Sequence, residues 1–114
     1  MPDIKPLLAS TTVTANSSSA VYERVPGDQA PLVGVTVGIA SGTSPSMTAK
    51  LMHSLDNATW DVLATAPAAI TTTAGKAIFG PDTSLPIGRF LRVDLDITGT
   101  TPSFTLTKID LQLN

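Results

Sequence analysis

With 114 residues, a net charge of −2 and only 14% charged side chains, the chain has the size of one domain, burying roughly two-thirds of its unfolded surface in a single core. Its seven basic residues are scattered from Lys5 to Lys108 and form no stripe able to neutralise successive phosphates, which argues against nucleic acid as a partner. Cysteine is absent, and Thr and Ser make up about a quarter of the chain; disulfides and thiolate metal sites are thereby excluded, and short strands and turns are favoured over helices.

The chain begins Met1-Pro2-Asp3-Ile4-Lys5-Pro6, whose two prolines predict an extended N-terminal arm outside the core, with a single β-sandwich domain over residues 7–114. No basic segment leads into an apolar run there, and no stretch approaches about 18 unbroken apolar residues, so neither an export signal nor a membrane anchor is expected. Leu7–Thr14 and Ser19–Val25 are β-prone on either side of the polar turn Ala15–Ser18 and predict a hairpin. Pro26-Gly27-Asp28-Gln29-Ala30-Pro31 breaks the chain in an exposed loop.

Val33, Val35, Val37 and Ile39 then alternate with Gly34, Thr36, Gly38 and Ala40, one bulky face expected in the core and one nearly bare. Ser41-Gly42-Thr43-Ser44-Pro45 predicts a turn, Ser46–Ser54 a strand, Leu55–Thr59 a turn rich in Asx chemistry, and Trp60–Ala64 another strand. Thr65–Ala74, with Pro67 and a run of threonines, reads as loop then strand; Lys76–Phe79 is a short apolar piece, and Gly80–Gly88 a long loop.

The clearest signal lies in the last quarter. Leu91, Val93, Leu95 and Ile97 alternate with Arg92, Asp94 and Asp96, Thr98–Pro102 interrupts, and Ser103–Leu113 resumes, which predicts an antiparallel hairpin. Phe104 and Leu106 share one parity and Ile109, Leu111 and Leu113 the other, so a bulge is expected near Thr107-Lys108. About eight strands without a helix predict an all-β, jelly-roll-like antiparallel β-sandwich. No internal repeat stands out.

Chemistry is hard to find. His53 is the only histidine, with no nucleophile and orienting partner marked out by the pattern. Asp94 and Asp96 share a strand face, the arrangement of a glycosidase pair or of calcium ligands, but Arg92 on that face makes a charged solvent side the simpler reading. Val37–Gly42 has neither the spacing nor the lysine of a phosphate loop. Trp60 and Tyr22 are single and far apart, and Trp60 after a tight turn is expected to cap the core. No catalytic residue, metal ligand or cofactor is expected.

Three segments carry a family likeness: Leu51-Met52-His53-Ser54-Leu55-Asp56-Asn57-Ala58-Thr59-Trp60, then Gly88-Arg89-Phe90-Leu91-Arg92-Val93, then Ile97-Thr98-Gly99-Thr100-Thr101-Pro102-Ser103-Phe104. Together they resemble small structural proteins of tailed bacteriophages, in which a Ser-x-Asp hairpin turn ends in Trp and a Gly-Arg-aromatic-Leu-Arg strand precedes a Thr-Gly-Thr-x-Pro turn. The resemblance runs from about Lys50 to the C-terminus. It implies a virion protein of the capsid decoration (cement) type, assembled in the host cytoplasm, bound to the major capsid protein across capsomer junctions, often as a trimer, with no turnover, membrane or cofactor. Contact residues are then expected in the arm and the first leucines, Met1, Pro2, Asp3, Ile4, Lys5, Pro6, Leu7 and Leu8, and in the loops Pro26–Pro31 and Gly80–Gly88, at Pro26, Gly27, Asp28, Pro81 and Asp82. Ser-x-Asp-x-x-x-Trp turns also occur in discoidin-like and other sugar-binding sandwiches, so the alternative is a carbohydrate-binding or adhesion module of a phage tail or baseplate.

Overall fold

A computed structural model of the chain describes residues 3–8, 11–24, 31–81 and 87–113. Among the described residues eight strands follow in order: β1 (Asp3–Leu8), β2 (Thr11–Val13), β3 (Ser17–Ser18), β4 (Tyr22–Glu23), β5 (Leu32–Ser54), β6 (Asp61–Thr65), β7 (Lys76–Phe79) and β8 (Phe90–Leu113). All pairings are antiparallel and join one sheet. The all-β antiparallel class is as the composition predicts.

The organisation differs from the expected run of short hairpins. Strands β5 and β8, of 23 and 24 residues, pair with each other along almost their whole length, from Leu32↔Gln112 to Ser54↔Phe90. A flat strand of 24 residues would reach about 79 Å, whereas the longest dimension of the molecule is 43 Å, so the ribbon must bend. It bends where two turns were predicted: Ser41–Ser46 and Thr98–Ser103 lie opposite each other, with register shifts on both sides of Thr43. The hairpin expected between Leu91–Ile97 and Ser103–Leu113 does not form, because each of those pieces pairs with β5 instead.

Gly42 (φ 109°) and Gly99 (φ 122°) make the bend possible. A Cβ on Gly42 would stand 2.5 Å from the carbonyl oxygen of Thr101, and one on Gly99 2.8 Å from that of Ser44. Two residues further on, Ser44 (φ 50°) and Thr101 (φ 47°) also occupy the left-handed region.

This reciprocity reveals an internal repeat that the sequence reading missed. Gly-Thr-Ser-Pro-Ser from Gly42 and Gly-Thr-Thr-Pro-Ser from Gly99 start 57 positions apart, half of the 114 residues. The same offset relates flanking contacts. Val13 pairs with Phe104, as Ile70 bridges to Met47. Ser17 and Ser18 pair with Leu95 and Asp94, as Ala74 and Gly75 bond to Gly38 and Val37. The molecule is a pseudo-twofold arrangement of two half-chains, each contributing one long strand.

Both halves of the bent ribbon feed one core: Val33, Val35, Val37, Met47, Ala49 and Leu51 from β5, and Leu91, Val93, Leu95, Phe104, Leu106, Ile109 and Leu111 from β8. The bulge expected at Thr107-Lys108 is present. Thr36 pairs with Lys108 and Val37 with Leu106, leaving Thr107 over; Gly38 is left over on β5 two residues later, which restores the register. That second bulge turns Ile39 outward, 59% exposed, so it does not continue the core face of Val33–Val37. The strand expected after Ile70 is absent, this stretch making one isolated bridge at Ile70. The hairpin predicted from Leu7–Thr14 and Ser19–Val25 is replaced by separate pairing of β1 to β4 with β8.

The expected free arm over residues 1–6 is, from Asp3 on, part of the sheet: β1 pairs from Asp3↔Leu113 to Leu8↔Ile109, and Leu7, where the domain was expected to begin, has its side chain in the core. Pro6 is tolerated because β1 is an outer strand of the sheet order β1-β8-β5-β6 and the register shifts between Pro6 and Leu8.

Candidate interaction surface

One end of the ribbon is built around Ser54, the last residue of β5. Its Oγ accepts from the N–H of Asp56 (3.2 Å) and of Asn57 (3.0 Å) and donates to Asp56 Oδ1 (2.9 Å). Asp56 Oδ1 in turn accepts from the N–H groups of Ala58 and Thr59, both at 2.9 Å. Asn57 sits at φ 58°, which its short polar side chain tolerates. The donors from Thr59 and Ala58, then the Ser54 hydroxyl, hold the Asp56 carboxyl down from 3.8 to about 2.

The turn delivers Trp60 and β6 on one side. On the other, residues 87 and 88 are pinned against it. Gly88 N–H donates to His53 Nδ1 (2.9 Å), which leaves the ring proton on Nε2, and Arg24 Nη1 donates to the carbonyl of Ile87 (2.9 Å). Only glycine fits at position 88, since a Cβ there would lie 2.8 Å from the carbonyl oxygen of Ser54. His53, Ser54, Leu55, Asp56, Thr59, Asp61, Ile87 and Gly88 line a half-open hollow of about 340 Å³.

Beside it runs a polar row on the outer sheet face. The Arg92 guanidinium stacks over the Trp60 ring at 4.4 Å from its centroid. Arg92 Nε is 2.9 Å from Asp94 Oδ1, which also accepts from Ser18 Oγ at 2.7 Å. Lys50 pairs with Asp96 at 2.6 Å. Trp60 therefore covers Arg92 and is no part of the core cluster, contrary to the expected cap.

Chemically, these groups are committed to structure. Ser54 spends its hydroxyl on the turn and His53 its Nδ1 on Gly88, so their adjacency to Asp56 is not a relay. Asp94 and Asp96 each face a cation, as a charged solvent side requires. Among the described residues no three His, Asp or Glu side chains converge as metal ligands.

Of the contact residues expected from the sequence, Asp3, Ile4, Lys5, Pro6, Leu7 and Leu8 lie in β1, remote in pairing from this turn, and Pro81 is a half-buried residue after β7. Met1, Pro2, Pro26, Gly27, Asp28 and Asp82 fall outside the described residues. Ile87 and Gly88 end the loop Gly80–Gly88 in which contacts were expected, whereas Leu55 and Asp61 were not expected as contacts; Leu55 is 82% exposed in a turn otherwise polar.

No protein-family model matches the chain, and no curated protein matches it.

Proposed function

We propose that this chain is a virion structural protein that decorates a bacteriophage capsid and stabilises it by binding the major capsid protein across capsomer junctions. The observation that carries the reading is the convergence of the segments bearing the resemblance. Leu51–Trp60 and Gly88–Val93, some thirty residues apart, build one unit through His53–Gly88, Ser54↔Phe90 and Arg92–Trp60. The likeness therefore follows an architectural unit and is not a scatter of short matches.

The surface suits a binding role without turnover. The Ser54 hydroxyl, the His53 imidazole and the Asp56 carboxylate hold backbone, while Leu55 and Val62 stand more than half exposed nearby. Trimeric association belongs to the same proposal. The glycan-module reading is weakened because the Arg92 guanidinium occupies one of the two faces of Trp60 on which a sugar ring could stack.

The test is co-sedimentation of the purified protein with capsids of the parent phage that lack it. Saturable binding at a fixed ratio to the major capsid protein, with a higher capsid melting temperature, is the expected result. Absence of binding would reject the proposal.

A further inference from the structure

The described residues include six carboxylates whose side chains are placed: Glu23, Asp56, Asp61, Asp94, Asp96 and Asp110. Four have a cationic partner, in the pairs Glu23 with Arg89, Asp94 with Arg92, Asp96 with Lys50 and Asp110 with Lys108. The two without one among the described residues, Asp56 and Asp61, both line the 340 Å³ hollow beside Ser54. Chance scatter over the surface does not favour that coincidence.

The rest of the hollow is largely apolar. Leu55 projects into solvent on one wall, and Ile87, whose far side packs on the core, forms another. Its shape is fixed from behind, by the Gly88 N–H on His53 and by Arg24 on the Ile87 carbonyl. Asp56 Oδ1 accepts all three hydrogen bonds that reach this carboxylate, and Oδ2 accepts none among the described residues. Apolar walls with carboxylate oxygens at the rim match an aliphatic stem ending in a cation.

We infer that this hollow is a socket for an exposed arginine or lysine side chain of a partner protein, its stem between Leu55 and Ile87 and its head on Asp61 and Asp56. The volume lies at the small end of ligand pockets and suits one side chain. The partner's identity as the capsid protein rests on the function proposed above; the chemistry of the socket does not.

Two measurements keep these apart. In the first, the full chain is titrated with N-acetyl-arginine methylamide and N-acetyl-lysine methylamide, with neutral N-acetyl-norleucine methylamide as control, following backbone amide resonances. Saturable shifts at Leu55, Asp61 and Gly88 are expected with the cationic probes, weakened about fivefold in Asp61→Asn, the change of one rim ion pair. Asp61 is exposed and makes no ion pair among the described residues, so this variant leaves the chain folded. Equal response to norleucine, no saturable response, or an unchanged response in Asp61→Asn overturns the inference. So does a concentration-dependent dimer abolished by Asp61→Asn, which would assign the socket to a second copy.

In the second, wild type and Asp61→Asn are compared on parent capsids at rising salt. Weaker binding and a flatter salt dependence for the variant are expected. Equal binding would overturn the socket as the capsid contact while leaving decoration intact, whereas failure of the wild type to bind would reject decoration and leave the socket to be judged by the titration.

Discussion

Asp56 shows how one side chain organises a turn. Its carboxylate receives the N–H groups of Ala58 and Thr59 and the Ser54 hydroxyl, and each of these favours the ionised form. The folded-state value of about 2 lies below the ordinary 3.8. The contribution of this group to stability is thus complete above about 3.8 and is lost as pH falls from there through about 2. The Ala58 and Thr59 amide resonances should titrate near 2 in the native protein, and not at all in Asp56→Asn; a midpoint at the ordinary carboxylate value would contradict the assignment. The glycines of the bend make a second residue-scale case. Gly42→Ala places a methyl 2.5 Å from the Thr101 carbonyl oxygen at φ 109°, combining a left-handed penalty of about 1–2 kcal/mol with a clash against backbone. A loss of at least about 2 kcal/mol by urea unfolding is expected, whereas Gly34→Ala, with nothing within 4 Å of the added Cβ, should be nearly neutral.

Among the elements, β1 departs most from its sequence. Two prolines and a short charged start read as a loose arm, because local preference at Pro2 and Pro6 speaks against a central strand. The ladder with β8 overrides this, since β1 is an outer strand, where proline is tolerated, and its register shifts just after Pro6. Deleting Met1–Pro6 is therefore expected to lower the melting temperature and raise amide exchange in residues 109–113, which lose their neighbour. Leu7→Ala, at a core position only 6% exposed, should cost about 2–5 kcal/mol. A truncated chain with native stability would show that β1 is dispensable. By contrast, the parity slip between Leu106 and Ile109 was legible residue by residue, because a one-residue insertion is the only way to keep both apolar sets on one face.

For the whole molecule, the pseudo-twofold has a consequence for the chain ends. Asp3 and Leu113 are register partners, so the two ends of the sheet lie side by side. Their counterpart half-way along is the Asn57-Ala58 link in the exposed turn, between residues 1–57 and 58–114. A circular permutant of these 114 residues that starts at Ala58 and ends at Asn57, with residues 114 and 1 joined by a short linker, should fold to the same sheet and unfold cooperatively, less stable only by the severed Asp56 turn. Far-ultraviolet circular dichroism and a thermal melt would decide it; a molten or aggregated product would mean that the two halves are not interchangeable frames.

By itself the sequence determined the all-β class, the alternating core faces of Val33–Val37 and Leu91–Leu95, the bulge at Thr107 and the Asx chemistry of Ser54–Thr59, because each follows from periods and turn preferences that act within a few residues. It did not determine which strand each piece pairs with. A Gly-Thr-x-Pro-Ser stretch supports a hairpin or a bend in a longer ribbon equally well, and only the pairing of β5 with β8 chose the bend. The half-chain repeat was masked for the same reason: the halves share the bend motif but fill the core differently, with Met47 answering Phe104 and Ala49 answering Leu106. The hollow, too, exists only in three dimensions, since Asp61 and Ile87 meet through Gly88 on His53, a contact between residues 35 apart in sequence. Non-local pairing decides such features, and no local pattern encodes it.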